Sequence, residues 1–243
     1  MKFIERIKLQ HRANKYKNKN DKGGIAYIHS AIKGGDTALD IGAHKGGYLY
    51  FMQKLVGSSG KVFAFEPQSN LNKYVVKIKN LFNWDNVSIE HLALSDAAGS
   101  VTLFIPAGKA DKTSSPGATI VEQRDRTDIG ATETVTTETL DSYCSRNNIQ
   151  ANFLKIDVEG NELRVFQGGI ETLKKYKPKI IVEIEARHVG QEQVLETIRF
   201  MEDLGYKGRF IHDTEYKQLE LFSFDKYQNM SDMKNYCNNF IFE

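Results

Sequence analysis

The chain has 243 residues, 40% hydrophobic and 26% charged, with 19 glycines and four prolines. That balance excludes collagen-like, disulfide-dense and wholly disordered chains, and it suffices for one large α/β core. Net charge is only +2, which argues against a general nucleic-acid binder.

The charge is unevenly placed. Residues 1–22 hold eight Lys/Arg and two acids, which leaves 25 basic against 29 acidic residues in the remainder. A basic N-terminal extension (1–22) is therefore set apart from one mildly acidic domain (23–243). Cys144 and Cys237 stand far apart and outside any metal-type spacing, so both read as reduced thiols. Charges interrupt the N-terminal MKFIERIKLQHR before an apolar run can form, and no stretch reaches the roughly 18 apolar residues of a spanning helix. A cytoplasmic location is expected.

In chain order, short β-rich runs alternate with helical stretches, the rhythm of a mostly parallel, doubly wound α/β sheet. Strand one covers 37–43 and leads into a helix through GYLYFMQKLV. KVFAFEP is strand two, ended by Pro67, and a helix follows from about 70 to 82. Strand three covers 87–94, and SVTLFIP reads as a strand folding back near the sheet edge. Residues 106–134 are polar and without period, as in a lid or substrate loop. ETVTTETLDSYCSRNNI predicts a strand and a short helix, and NFLKIDVEG the fourth core strand. Leu163, Phe166, Ile170 and Leu173 mark one amphipathic helix stopped by Pro178. KIIVEIEA is the fifth core strand, and Val194, Ile198, Met201 and Leu204 mark a helix closed at Gly205. Strand six covers 206–212, residues 213–236 are weakly determined, and NNFIFE is a last strand.

Four segments carry chemistry. Asp40-Ile-Gly42-Ala-His44-Lys-Gly46-Gly47 follows a strand and opens a helix, where glycines let a ligand approach the backbone. Its spacing is not G-x-G-x-x-G, because His44 fills the second-glycine position and would obstruct a pyrophosphate. The carboxylate of Asp40 favours an ammonium, such as the amino-acid end of S-adenosyl-L-methionine (SAM). Glu66 ends strand two, 24 residues beyond Gly42, where an acid accepts ribose hydroxyls; SAM and NAD are both served. Leu94 and Ser95 close strand three, with Leu94 as an apolar wall for adenine, although Ser95 and Asp96 suit a plain turn equally well. In Lys155-Ile-Asp157-Val-Glu159-Gly-Asn-Glu, period two places three charges on one face at a strand end. That is where open α/β sheets form their ligand crevice. The bland alternative is a Lys155–Asp157 ion pair with a solvated Glu159. Glu183 and Glu185 share a face of the next strand and His188 follows. Asp157, Glu159, Glu183 and His188 have the chemistry of a hard-metal set, but nothing in their spacing demands one, and no metal is expected.

LDIGAHKGGY, VFAFEP, LALSD, TLDSY, FLKIDVEGNE and IVEIE, in this order over about 32–188, resemble the FkbM family of SAM-dependent methyltransferases. The resemblance implies a seven-stranded sheet of the class I methyltransferase (Rossmann-like) type, SAM as methyl donor, and a hydroxyl acceptor on a saccharide, glycolipid or secondary metabolite. It implies that Asp40, Gly42, Gly46 and Glu66 hold SAM and that Asp157 and Glu159 face the reacting centre. His44 stands where relatives often have Asn. Asp157 is the first candidate base, then Glu159, with Glu183 as a ligand for a substrate hydroxyl. Expected partners are a small-molecule or glycan acceptor and no nucleic acid. The arm places Phe3, Ile4 and Ile7 on one helical side among Lys2, Arg6 and Lys8. It reads as a solvated or homodimer-contacting extension ahead of a membrane contact. The alternatives are a non-catalytic SAM-fold binding protein, an NAD-dependent oxidoreductase and a metal-assisted methyltransferase.

Overall fold

The computed structural model describes residues 2–107, 117–121 and 129–243. Five strands form the centre of the main sheet: β1 (Thr37–Ile41), β2 (Lys61–Phe65), β3 (Val87–Glu90), β7 (Phe153–Ile156) and β8 (Lys179–Glu183). Together with β9 (Gly208–His212), β10 (Glu215–Gln218) and β11 (Asn239–Phe242) they give the order β10-β9-β11-β8-β7-β1-β2-β3. The five central strands run parallel, and β9, β10 and β11 pair antiparallel.

The sheet has eight strands rather than seven. The added strand is β10, in a segment whose only large apolar side chain is Tyr216. A two-residue turn, with Asp213 in the left-handed region, folds it back onto β9. As an edge strand it buries little, so it carries little hydrophobic pattern.

A second sheet, β4-β6-β5, combines β4 (Ala93–Leu94), β5 (Gly99–Pro106) and β6 (Ile129–Glu138). Strand three of the sequence reading is thus divided between two sheets. SVTLFIP pairs with β6 away from the main sheet, and β6 already begins inside the expected 106–134 loop. The remainder of that loop, 108–116 and 122–128, lies outside the described residues.

Strand alternation builds a core on each face. Leu39, Ile41, Leu154, Ile156, Ile180 and Val182 point toward α5 (Leu140–Arg146), α6 (Glu162–Gln167), α7 (Ile170–Tyr176) and α8 (Ala186–Asp203). Ala38, Val62, Ala64, Phe153 and Ile181 point toward α1 (Lys2–Lys15), α2 (Lys22–Ala31), α3 (Leu49–Val56) and α4 (Ser69–Phe82). The single helix expected over 163–173 is two helices. A Cβ at Gly168 would stand 2.1 Å from the Ser95 carbonyl oxygen, and the chain turns there to let the two backbones meet.

The basic arm is a helix docked on the body. Its Leu9 and Ala13 are wholly buried. Arg6 donates to the Leu81 carbonyl at 2.7 Å, and Arg12 donates to the Lys45 carbonyl at 2.9 Å and to the Tyr74 hydroxyl at 3.2 Å. A π-helical turn, Tyr16–Asn20, then carries the chain into α2, whose start is capped by Asp21 accepting from the Gly24 amide at 2.9 Å. Among the described residues, no helix is long and apolar enough to cross a membrane.

Candidate functional site

A cavity of about 380 Å³ opens beyond the C-terminal ends of β1, β2, β7 and β8, the place where parallel α/β sheets hold ligands. Of the ten candidate catalytic and cofactor-binding residues, seven line it: Gly42, His44, Glu66, Leu94, Asp157, Glu159 and Glu183. Three do not. Asp40 is fully buried beneath the floor, because alternation turns it with Ala38 toward the α1–α4 side. Gly46 is outside the lining. The Ser95 side chain turns to Asp96 and Asn161, and its amide donates to the Glu138 carbonyl at 3.0 Å.

The first turn is shaped by its neighbours. Gly42 has φ +83, and a Cβ there would stand 1.9 Å from the Asp157 carbonyl oxygen. Glycine is thus required by the approach of the loop after β7, and not only by a ligand. His44 is left-handed (φ 48) and donates its amide to Glu66 at 2.7 Å. The second carboxylate oxygen of Glu66 accepts from the Gln68 amide at 2.9 Å. These bonds aim a buried carboxylate into the cavity with lone pairs still free. Burial outweighs them and pushes the Glu66 pKa up to about 7. Burial, with Lys45, Lys155 and Arg12 nearby, pushes His44 down to about 4. It is therefore a neutral imidazole, and its buried Nε2 has no hydrogen-bond partner among the described residues. Leu92, Ala93 and Leu94 supply an apolar wall.

The floor is an ionic cluster. Register sets Lys155 of β7 beside Asp40 of β1. Its ammonium donates to the Gly42 carbonyl at 2.9 Å and lies 3.4 Å from Asp157 and 3.5 Å from Asp40. Burial opposes the charge on Lys155, but Asp157, Asp40 and Glu183 outweigh it and its pKa is raised. Burial raises Asp157 against the pull of Lys155, and neighbouring Glu159 adds to the rise. Glu183 is raised well above the carboxylate range by burial and by the fields of Asp157 and Glu185, and it accepts a hydrogen bond from the Asn238 side chain.

Glu159 behaves differently. It is left-handed (φ 54) and lies 2.9 Å from His188. Burial opposes its ionisation, but His188 outweighs burial and lowers its pKa. His188 is itself pushed up to about 9, because Glu159 and Glu185 overcome its burial. Glu185 also accepts from Arg187 at 2.6 Å and from the Tyr236 hydroxyl. Among the described residues, no group of three or more His, Cys, Asp or Glu is arranged to hold a metal ion.

The sequence reading missed several wall residues. Tyr16, Asn20 and Asp21 come from the arm, and Asn238 and Asn239 from the other end of the chain. Tyr16 packs edge-on against Tyr48, ring centres 6.2 Å apart. Tyr48 donates to Asp21, which also accepts from Asn239 at 3.2 Å. Asn161 and Glu162 stand in the KIDVEGNE run but had no assigned role. Asn161 lines the cavity and donates to the Leu94 carbonyl at 3.0 Å. Glu162 accepts from the amides of Val158 and Gly160 at 3.3 and 3.0 Å and so shapes the loop that presents Asp157 and Glu159.

This fold, with a buried acid at the end of β2 and a cationic and carboxylate floor at the ends of β1 and β7, is that of the Rossmann-like class I methyltransferases. A model of the methyltransferase FkbM domain matches residues 40–207, and the chain belongs to that family. Solved structures share the fold. Methyltransferase FkbM from Methylobacillus flagellatus superposes with a TM-score of 0.55 at 12% identity, covering 90% of this chain and 50% of that one, so the chain spans half that protein's length. A candidate rRNA methylase from Clostridium thermocellum gives 0.53 at 16% identity, covering 92% and 94%. A SAM-dependent O-methyltransferase from Thermotoga maritima gives 0.51 at 15% identity, covering 95% and 69%. Comparison with curated proteins finds none that matches. The family assignment displaces the NAD-dependent alternative.

Proposed function

We propose that the enzyme methylates a hydroxyl of a small polar acceptor of the saccharide type. The observation that carries this is the polar share of the cavity lining. Asn20, Asp21, Asp157, Glu183 and Asn239 line the cavity together with the Tyr16 ring. Such a wall suits several hydroxyls and one apolar ring face.

SAM, when bound, supplies a methyl group already activated on a sulfonium. Glu66 would take the ribose hydroxyls on its free lone pairs, and Leu92 and Leu94 would flank the base. Gly42 and His44 would form the rim beside them. The work left to the chain is to align the acceptor oxygen and receive its proton. Asp157 is the base: it faces the cavity, and its raised proton affinity suits that task. Glu159 is tied to His188 and kept ionised, which makes it a positioning group. Glu183 is held toward its protonated form and can donate to an acceptor oxygen.

The test has two arms. Calorimetry with SAM and S-adenosylhomocysteine should give binding by wild type and by Asp157→Asn alike. Transfer of labelled methyl to a panel of glycosides should fall about 10²- to 10⁴-fold in the variant. Binding without transfer to any hydroxyl acceptor would leave a non-catalytic SAM-binding protein and sink the proposal.

A further inference from the structure

We infer that the outer face of α1 docks on an anionic lipid surface. The helix buries one side only. Leu9 and Ala13 face the body, and Arg6 holds the helix to α4 through the Leu81 carbonyl and the Phe82 ring. Helical spacing turns residues 4, 7, 8, 11 and 15 the other way. Ile4 and Ile7 are 56% and 48% exposed, and Lys8, His11 and Lys15 are exposed around them. Lys77 of α4 lies one turn from Tyr74 and Leu81, both touched by α1, and adds an exposed cation beside the strip.

Single exposed apolar side chains are ordinary on a soluble surface. Two of them one turn apart inside a basic strip make the pattern of a helix lying in a lipid interface. Charge sets the orientation. Residues 1–22 are net positive and the remainder net negative, so an anionic surface attracts this side and repels the rest. A nucleic-acid backbone would neutralise the lysines but leave both isoleucines in water, whereas lipid answers both features. The opposite side of the same segment carries Arg12 and Tyr16 into the cavity wall, so the docking face and the cavity share one segment. The arm lies outside the family-matched residues 40–207.

Full-length protein is sedimented with vesicles of phosphatidylcholine alone and of phosphatidylcholine mixed with phosphatidylglycerol. It should pellet with the mixed vesicles, stay in solution with the neutral ones, and be released by salt. Lys15→Gln and Lys77→Gln should each weaken binding about five-fold. Ile7→Gln should weaken it with no change of charge, and circular dichroism should find every variant folded, since all three positions are exposed. Wild type that ignores anionic vesicles at low ionic strength overturns the inference. So do variants that bind like wild type, and so does retention on ribosomal RNA without binding to vesicles.

Discussion

The protonation of His188 is the most quantitative consequence of the site. His188 stands 2.9 Å from Glu159 and 3.5 Å from Glu185, with its side chain only 17% exposed. Its pKa rises from the ordinary 6.5 to about 9. At about 1.4 kcal/mol for each tenfold change in proton affinity, the imidazolium contributes roughly 3 kcal/mol of stability. The lowered pKa values of Glu159 and Glu185 include these same contacts seen from the other side, beside those with Arg187 and Tyr236, and are not added to the His188 figure. Because the folded value is the higher one, the contribution is complete below pH 6.5 and disappears as pH rises through about 9. His188→Gln keeps a hydrogen-bonding side chain and removes the charge. Urea unfolding of both proteins from pH 6 to 10 should give a stability difference near 3 kcal/mol at the acid end, closing across this window. Glu66 and Glu162, each pushed up to about 7 by burial, titrate in both proteins and cancel in the difference. A gap that does not change with pH would refute the argument.

Three further outcomes follow from particular contacts. Glu66→Gln removes a charged acceptor from the cavity and should weaken S-adenosylhomocysteine binding about 10- to 100-fold by calorimetry; unchanged affinity would take Glu66 out of the cofactor site. Gly42→Ala forces a Cβ against the Asp157 carbonyl at a positive φ and should cost about 3 kcal/mol in urea unfolding, whether or not a ligand is bound. Leu9→Ala should cost about 3 kcal/mol, because Leu9 is wholly buried under the arm; a neutral result would mean that α1 is not docked.

The parallel centre of the sheet was legible because each strand is a short apolar run between helices with a clear face. Part of the cavity lining was legible for the same reason: Gly42, His44, Glu66 and Leu94 stand at strand ends, where alternation and turn chemistry are readable. The same alternation shows why Asp40 stays outside the cavity lining. Counted as part of β1, it faces Lys155 and the α1–α4 side, and only a pairing partner in β7 reveals that. Residues whose role depends on long-range contact were invisible. Tyr16 and Asp21 sit in a lysine- and asparagine-rich stretch with no period, and they meet Tyr48 and Asn239 only through the fold. β10 escaped because an edge strand with one aromatic has almost no apolar signal.

The charge balance of the floor connects the fold to its cofactor. Asp40, Asp157 and Glu183 gather around one ammonium, Lys155. Four full charges there would leave two negatives uncompensated in a buried place, which is costly. Burial and repulsion relieve this by raising the proton affinity of all three acids, Glu183 well above the carboxylate range, which leaves a smaller negative excess around Lys155. A residual negative charge at the cavity floor favours a cationic ligand, and SAM carries both an ammonium and a sulfonium. Lys155 thus has two functions. It makes buried acids tolerable in the apo fold, and it limits their excess to what a cationic cofactor can neutralise.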